Sequence, residues 1–471
     1  IHLPSTLAYG PDSFAALFAN PPAGYRGAPF WSWNGRLDRQ QLREQIERFD
    51  LMGFGGAHAH VRTGLRTPYL SPEYLDLIRD MADRQQERQR LLWLYDEDRW
   101  PSGFAGGLVT RDHPEFRRKV LVLTRTPNEK SVPASKPVWH IEARRNGQGN
   151  LLARYSLRID GPRLAACRRL ASGETPALGE EEWFAYLETS ETGTWFNNAG
   201  YVDALNPKAI ECFADLTHDA YAAALRDHLG TTVPAIFTDE PQLSPVEPLA
   251  QGDTGKDILL SWTTDFADSY RQRFGADPLD NLPEVVWDRA DGSVSPARWR
   301  YHEHRSERFA AAYAGTLGER CRRHGIALTG HLMAEDSLSY QVTWTGESMR
   351  SYPHFDIPGI DLLCDEDHLA TAKQTVSVAR QQGTTAVLSE LYGVTGWHFD
   401  FTGHKRQGDW QAALGITVRV PHLSWMTMEG EAKRDYPAAI DWHSPWWQEY
   451  RLVEDHFSRL NVALTRGRPL V

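Results

Sequence analysis

The chain predicts a (β/α)8 TIM barrel, an α/β fold, with an antiparallel β unit inserted after the third strand. Three observations lead there. Short apolar runs alternate with amphipathic helical stretches along most of the 471 residues, the mark of a parallel sheet or barrel. The alternation breaks once, over 119–200, where short runs such as VLVLT, VWHIEA, ARYSLRI and WFAYLE are separated by turn residues. Carboxylic, aromatic and imidazole side chains gather at the carboxyl ends of the apolar runs, which is where a barrel carries its chemistry. The expected division is a first part of the barrel over 1–118, the β-rich insertion over 119–200 and the remainder of the barrel over 201–471.

The elements follow in order. Residues 28–34 (APFWSWN) read as the first strand, and Asp38 caps a helix through Leu51 with Leu42, Ile46 and Phe49 on one face. Residues 54–60 form the second strand, and Ser71 with Pro72 opens a helix carrying Leu75, Ile78 and Met81 at helical spacing. Residues 91–96 (LLWLYD) form the third. After the insertion a helix over 207–229 restores the rhythm, and 233–238 (VPAIFT) form the fourth strand. Helical material is expected over 258–275 and 296–324. Residues 326–331 form the fifth strand, 354–363 a short sixth, with a helix over 368–382. The seventh strand is 385–390, a helix covers 404–414, and 416–425 form the eighth. A last helix is expected from Ser444 to Arg466, carrying Trp446 and Trp447.

Composition narrows the function. A net charge of −11 argues against nucleic acid, whose phosphates need a basic footprint. No run of about 18 apolar residues exists to span a membrane. Four cysteines lie far apart without zinc-finger or CxxC spacing. The chain starts at Ile1 without a leader pattern and stops at GRPLV directly after a helix; a removed leader, a further domain, and either an exported or a cytoplasmic location all fit. Seventeen Trp is a high share, and flat apolar rings suit the C–H faces of sugars.

The strand ends carry the candidates. The first offers Trp33 and Asn34, the second His58, His60 and Arg62, the third Asp96 and Trp100, the fourth Asp239 and Glu240. The fifth offers His331 with Glu335 beyond it, the sixth Asp361, the seventh Glu390 with Tyr392 and Trp397 following, and the eighth Trp425. Cleavage of a glycosidic bond needs two carboxyl groups, one to protonate the leaving oxygen and one to activate water or attack the anomeric carbon. Glu240 and Glu390 emerge from apolar strands at the fourth and seventh positions, with Glu335 as competitor for either role. The segment YDEDRWPSGFAGG (95–107) is a glycine-rich turn able to approach a ligand, but it is neither a dinucleotide nor a Walker loop, and no GxSxG elbow occurs.

Two other readings belong to different classes. His58-x-His60 with His331 and Asp361 resembles a metal-dependent amidohydrolase set, although the first strand lacks the HxH such enzymes place there. A catalytically inactive sugar-binding barrel is the second.

PFWSWNG (29–35), GFGGAHAHVRTG (53–64), LWLYDEDRWPSGFAGG (92–107), IFTDEP (236–241), LSELYG (388–393) and the closing SRLNVALTRGRP resemble, in the same order, the α-L-rhamnosidases of glycoside hydrolase family 106 and related barrel glycosidases. The resemblance implies an inverting exo-glycosidase with Glu240 as acid, Glu390 as base, Glu335 as a further carboxylate near the site, and a calcium ion near the sugar whose ligands it does not identify. It says little about 119–200, and the chain is about half the length expected of such proteins.

Overall fold

The computed structural model describes residues 14–130, 145–244, 256–384 and 386–466; the VWHIEA run and the terminal GRPLV lie outside them. Its architecture is a nearly closed barrel of parallel strands ringed by helices, with a second, six-stranded sheet beside it. The barrel strands are Phe30–Trp33, Gly56–Val61, Leu91–Tyr95, Ala235–Thr238, Ala327–Gly330, Ile357–Leu362, Leu388–Leu391 and a last run in two pieces, Val418–Pro421 and Ser424–Trp425. Neighbours in the sheet follow chain order. The last piece returns to the first strand, pairing Ser424 with Trp31 and Trp425 with Ser32, and the Ala28 amide donates to the Arg419 carbonyl across the same seam (3.0 Å). This is consistent with the eightfold alternation read from the sequence.

Local chemistry explains the elements. The Asp38 carboxylate accepts from the Gln41 amide (2.8 Å) at the head of the helix Arg39–Leu51, and the Ser71 hydroxyl accepts from the Tyr74 amide (3.2 Å) ahead of Pro72–Glu87. The face of each strand is decided by packing. Phe30 lies among the rings of His60 (4.4 Å), Phe237 (5.0 Å) and Tyr95 (6.0 Å) inside the barrel. Trp31 and Trp33 point the other way, against Phe49 and Tyr74 of the helix layer. At the amino end of the strands Arg419 pairs with Glu454 of the last helix through two contacts (3.0 and 2.7 Å), and Glu454 also accepts from the Gly27 amide (2.9 Å).

The second sheet runs Asp288–Arg289, Arg163–Leu170, Asn150–Asp160, Glu181–Thr189, Lys119–Thr124 and Ile258–Trp262. Four of these strands come from the stretch between the third and fourth barrel strands. The other two come from beyond the fourth. Residues 258–262 are therefore a strand rather than the expected helix start, antiparallel to Lys119–Leu123; the helix begins at Phe266. The helix expected over 207–229 is two, Pro207–Leu216 and His218–Leu225. The last helix spans Arg451–Thr465, so Trp446 and Trp447 precede it.

Asp203 stands where the second sheet's connection returns to the barrel. It is buried and accepts from the Thr263 hydroxyl (2.6 Å) and the Leu205 amide (3.2 Å). Burial pushes its carboxyl up to about 7. The folded chain then holds a proton that the unfolded chain releases, so this group's contribution is intact below the ordinary carboxyl range and declines as pH rises through about 7. Asp203→Asn is expected to flatten the pH dependence of stability over that window, by up to about 1.4 kcal/mol per pH unit; parallel wild-type and variant urea curves at each pH would sink it.

Candidate active site

The carboxyl ends of the strands surround a cavity of about 210 Å³. Glu240, Glu390, Asp361 and Asp239 line it with Arg62 and Trp100, and so do Leu363, Val394, His422 and Tyr436. Glu240 follows the fourth strand with φ 48°, in the left-handed region that non-glycine residues avoid. Such backbone recurs at functional sites, where surrounding structure holds it.

A buried chain of hydrogen bonds orders the centre. The Tyr95 hydroxyl donates to Asp239 Oδ2 (2.6 Å), and Asp239 Oδ1 meets His331 Nε2 (3.0 Å). His331 Nδ1 stands 3.8 Å from Glu390 Oε2, and His422 Nε2 stands 3.8 Å from Glu390 Oε1. A ring nitrogen of His331 also lies within 4.8 Å of oxygens of Glu240 and Asp361. One imidazole thus reaches both candidate catalytic carboxyls. Just before His331, Gly330 lets the fifth strand lie close to the fourth: its φ is 124°, and a Cβ there would fall 1.9 Å from the Thr238 carbonyl oxygen.

Crowding sets the protonation. Burial raises Glu240 well above the usual range, helped by the neighbouring charges of Asp239 and Asp361. Burial and Asp361 raise Glu390 as well, opposed by His331. Burial also lifts Asp361 to about 6 and Glu335 to about 7. For His331 burial acts downward, but the Asp239 hydrogen bond and the charges of Glu390, Asp361 and Asp239 together raise it well above the ordinary imidazole value. His422, buried with Arg62 nearby, is held neutral.

Two walls hold the cavity's shape. Arg62 binds Asp435 through two contacts (2.9 and 2.7 Å) and lies 4.8 Å from the Trp100 ring and 6.0 Å from Tyr436. Trp100 packs edge-on against Trp195 (4.7 Å), whose indole donates to the Trp100 carbonyl (2.8 Å), so the chain leaving the second sheet braces the wall. The turn bearing Trp100 is organised by Glu97, which accepts from the amides of Asp98, Gly103, Phe104, Ala105 and Gly106 at 2.6–3.0 Å.

The remaining sequence candidates fall elsewhere. Glu335 accepts from the Leu332 amide (3.0 Å), the Tyr352 hydroxyl (2.8 Å) and the Asp361 amide (3.2 Å), so it braces the sixth strand and lines an adjoining cavity. Asp96 is engaged by Ser102 (2.6 Å) and fully buried. His58 bonds the Ala28 carbonyl (2.9 Å) and stacks on Trp93, while His60 sits between Phe30 and Tyr95. Both lie in the barrel core and line neither cavity. Trp33 faces the helix layer. Asn34 ties down Thr427 through both side-chain atoms. Tyr392 packs on Phe399 and His404. Trp397 is exposed and donates to the Lys433 carbonyl (3.2 Å). Trp425 is buried 6.0 Å from Arg62, behind the lining.

Sequence reasoning passed over Tyr436, Leu363 and Val394. Their only signal was position, in loops after the eighth, sixth and seventh strands, which barrel geometry places on this face.

No family model matches the chain, and no curated protein matches it. Among solved structures it is similar to a rhamnosidase from Novosphingobium sp. PP1Y, with a TM-score of 0.65 at 16% identity over 97% of this chain and 61% of that one. The chain therefore spans about three fifths of that protein's length. The PgaB (BpsB) glycoside hydrolase domain from Bordetella bronchiseptica matches with a TM-score of 0.41 at 10% identity, over 84% of this chain and 94% of that one. The first likeness shows a shared fold. Among the described residues no helix is long and apolar enough to cross a membrane.

Proposed function

We propose that the chain is an exo-acting, α-L-rhamnosidase-like glycoside hydrolase that inverts the anomeric centre. The observation that carries this reading is the pairing of Glu240, half-buried, and Glu390, buried, at the rim of one cavity, with His331 in reach of each. Glu240, kept neutral by burial and acidic neighbours, protonates the leaving oxygen. Glu390 must be ionised to take a proton from the attacking water, and the His331 imidazolium favours that charged form against burial and Asp361. Asp239 holds His331 in place, and Tyr95 holds Asp239. The two carboxyls of an inverting enzyme stand about 6.5–9.5 Å apart, against about 5–5.5 Å in a retaining one.

The likeness to a rhamnosidase supports the sugar. So do Leu363 and Val394, which give the cavity an apolar side suited to the methyl group of a 6-deoxy sugar. The amidohydrolase reading gains no support, because His58 and His60 lie in the core while His331 and Asp361 line or border the cavity.

The acidic groups also bear on calcium. Glu240 and Asp361, with Asp239 and Glu390 nearby, offer the hard oxygens that calcium prefers, while His331 is the mismatch. A cation held there would need water and sugar hydroxyls to complete its shell; it would neutralise the acidic cluster and orient the sugar.

A panel of nitrophenyl glycosides tests the reading. Turnover of α-L-rhamnoside, with the product appearing first as the opposite anomer by NMR, is expected. Loss on chelation and recovery with calcium would support the cation, and unchanged rates after chelation would remove it. Silence across the panel, with retained sugar affinity, would leave a sugar-binding barrel.

A further inference from the structure

A second cavity of about 250 Å³ adjoins the first. Glu240 and Asp361 line both, whereas Glu390 lines only the first. If Glu240 is the acid and Glu390 the base, their positions decide which part of the substrate lies where. The acid must face the bond to the leaving group, and the base must stand across the sugar from it. The cleaved sugar then occupies the first cavity and the leaving group the second.

The chemistry of the second cavity is distinct. Leu332, Met333, Ala334, Tyr340 and Trp344 supply its apolar surface, the last two with aromatic rings. Tyr340 and half-buried Trp344 belong to the short helix Leu338–Trp344, on which Leu338 (78%), Tyr340 (55%) and Val342 (41%) are exposed. Three large apolar side chains exposed on seven residues need a partner or a reason. The ledge is rigid. Gln341 donates to the Glu335 carbonyl (3.0 Å) and accepts from the Ser348 amide (3.3 Å), and buried Arg305 donates to the carbonyls of Val342 (2.7 Å) and Thr343 (2.8 Å). The ionisable groups lining the cavity are carboxylic, namely Glu240, Glu335, Asp336 and Asp361, apart from the Tyr340 hydroxyl, and no cation is among them.

We infer that this cavity is a leaving-group subsite for an uncharged aromatic aglycone, stacked on Tyr340 and Trp344 with its oxygen toward Glu240. The inference rests on the glycosidase reading above. An anionic aglycone, such as a uronic acid chain, finds carboxyl groups and no lining cation to pair with, and is disfavoured.

The test uses the sugar that the enzyme turns over, joined to naphthol, to a carboxynaphthol, to trifluoroethanol or to a neutral second sugar. Tyr340→Ala is expected to raise KM for the naphthyl glycoside about tenfold more than for the trifluoroethyl one, the size of one lost aromatic contact. Tyr340→Phe is expected to restore it. The carboxynaphthyl glycoside should react with kcat/KM at least about tenfold below the naphthyl one. Comparing ratios between variants cancels the intrinsic reactivity of each leaving group. A KM ratio unmoved in Tyr340→Ala, or the same Tyr340 dependence for the disaccharide as for the naphthyl glycoside, would overturn the aromatic assignment and leave the glycosidase standing. Absence of turnover for every glycoside would remove the reading beneath it.

Discussion

Glu390→Gln is expected to lower kcat by about 10²–10⁴, the usual worth of a general base, whatever leaving group is used. Glu240→Gln should cost as much on a poor leaving group and much less on nitrophenolate, which departs without a proton. This asymmetry follows from the proposed roles, because the base acts on water in every case while the acid acts on the departing oxygen. The surroundings make the losses large. Both groups line one cavity with Asp239 and Asp361, Glu390 buried and Glu240 half-buried. An amide in place of the Glu390 carboxylate could neither take a proton nor answer the His331 imidazolium 3.8 Å away. Steady-state kinetics on two leaving groups decide the matter. A Glu390→Gln loss that shrinks with leaving-group acidity would exchange the two roles. Full activity in either variant would move the chemistry to another carboxyl, with Asp361 next in line because it borders both cavities.

Strand ends and helix caps were legible in the sequence because their signals are local. Asp38 and Ser71 cap as their side chains dictate, and apolar runs ending in Asp-Glu or Ser-Glu put those carboxyls at the rim. The phase of a strand was not legible. Both faces of a barrel strand are buried, so FWSW carries no polar alternation to say that Phe30 points inward and Trp33 outward. HAH had the same ambiguity, and its imidazoles turned out to be core. ILLSW (258–262) reads equally as helix or strand; pairing with Lys119–Leu123, distant in sequence, settles it as strand. The walls of both cavities come from loops without periodicity, and contacts such as Arg62 with Asp435, 373 residues away, decide where Tyr436 stands.

The largest stability effect is expected at Glu97. Its Oε2 accepts from Gly103, Phe104 and Ala105, and its Oε1 from Asp98 and Gly106. Burial drives this carboxyl up to about 8, against the Asp98 and Gly106 amide bonds that favour its charged form. In Glu97→Gln one oxygen becomes an amide nitrogen whose hydrogens confront N–H donors. At least two buried amides then lose their acceptor, at about 1–3 kcal/mol each, so about 2–6 kcal/mol is expected. Glu97→Asp keeps both oxygens but is one methylene too short to reach all five donors. The consequence should reach the cavity, since the turn carries Trp100, which covers Arg62 at 4.8 Å. Two measurements separate these effects. Urea unfolding reads the cradle's energy, and KM measured where the variant remains folded reads the displaced Trp100. A wild-type midpoint for Glu97→Gln would mean that the five amides find other acceptors. A lowered midpoint with unchanged KM would mean that the turn stiffens the fold without shaping the cavity. The structure favours a change in both, because Trp195 and Arg62 hold Trp100 only where the Glu97 turn delivers it.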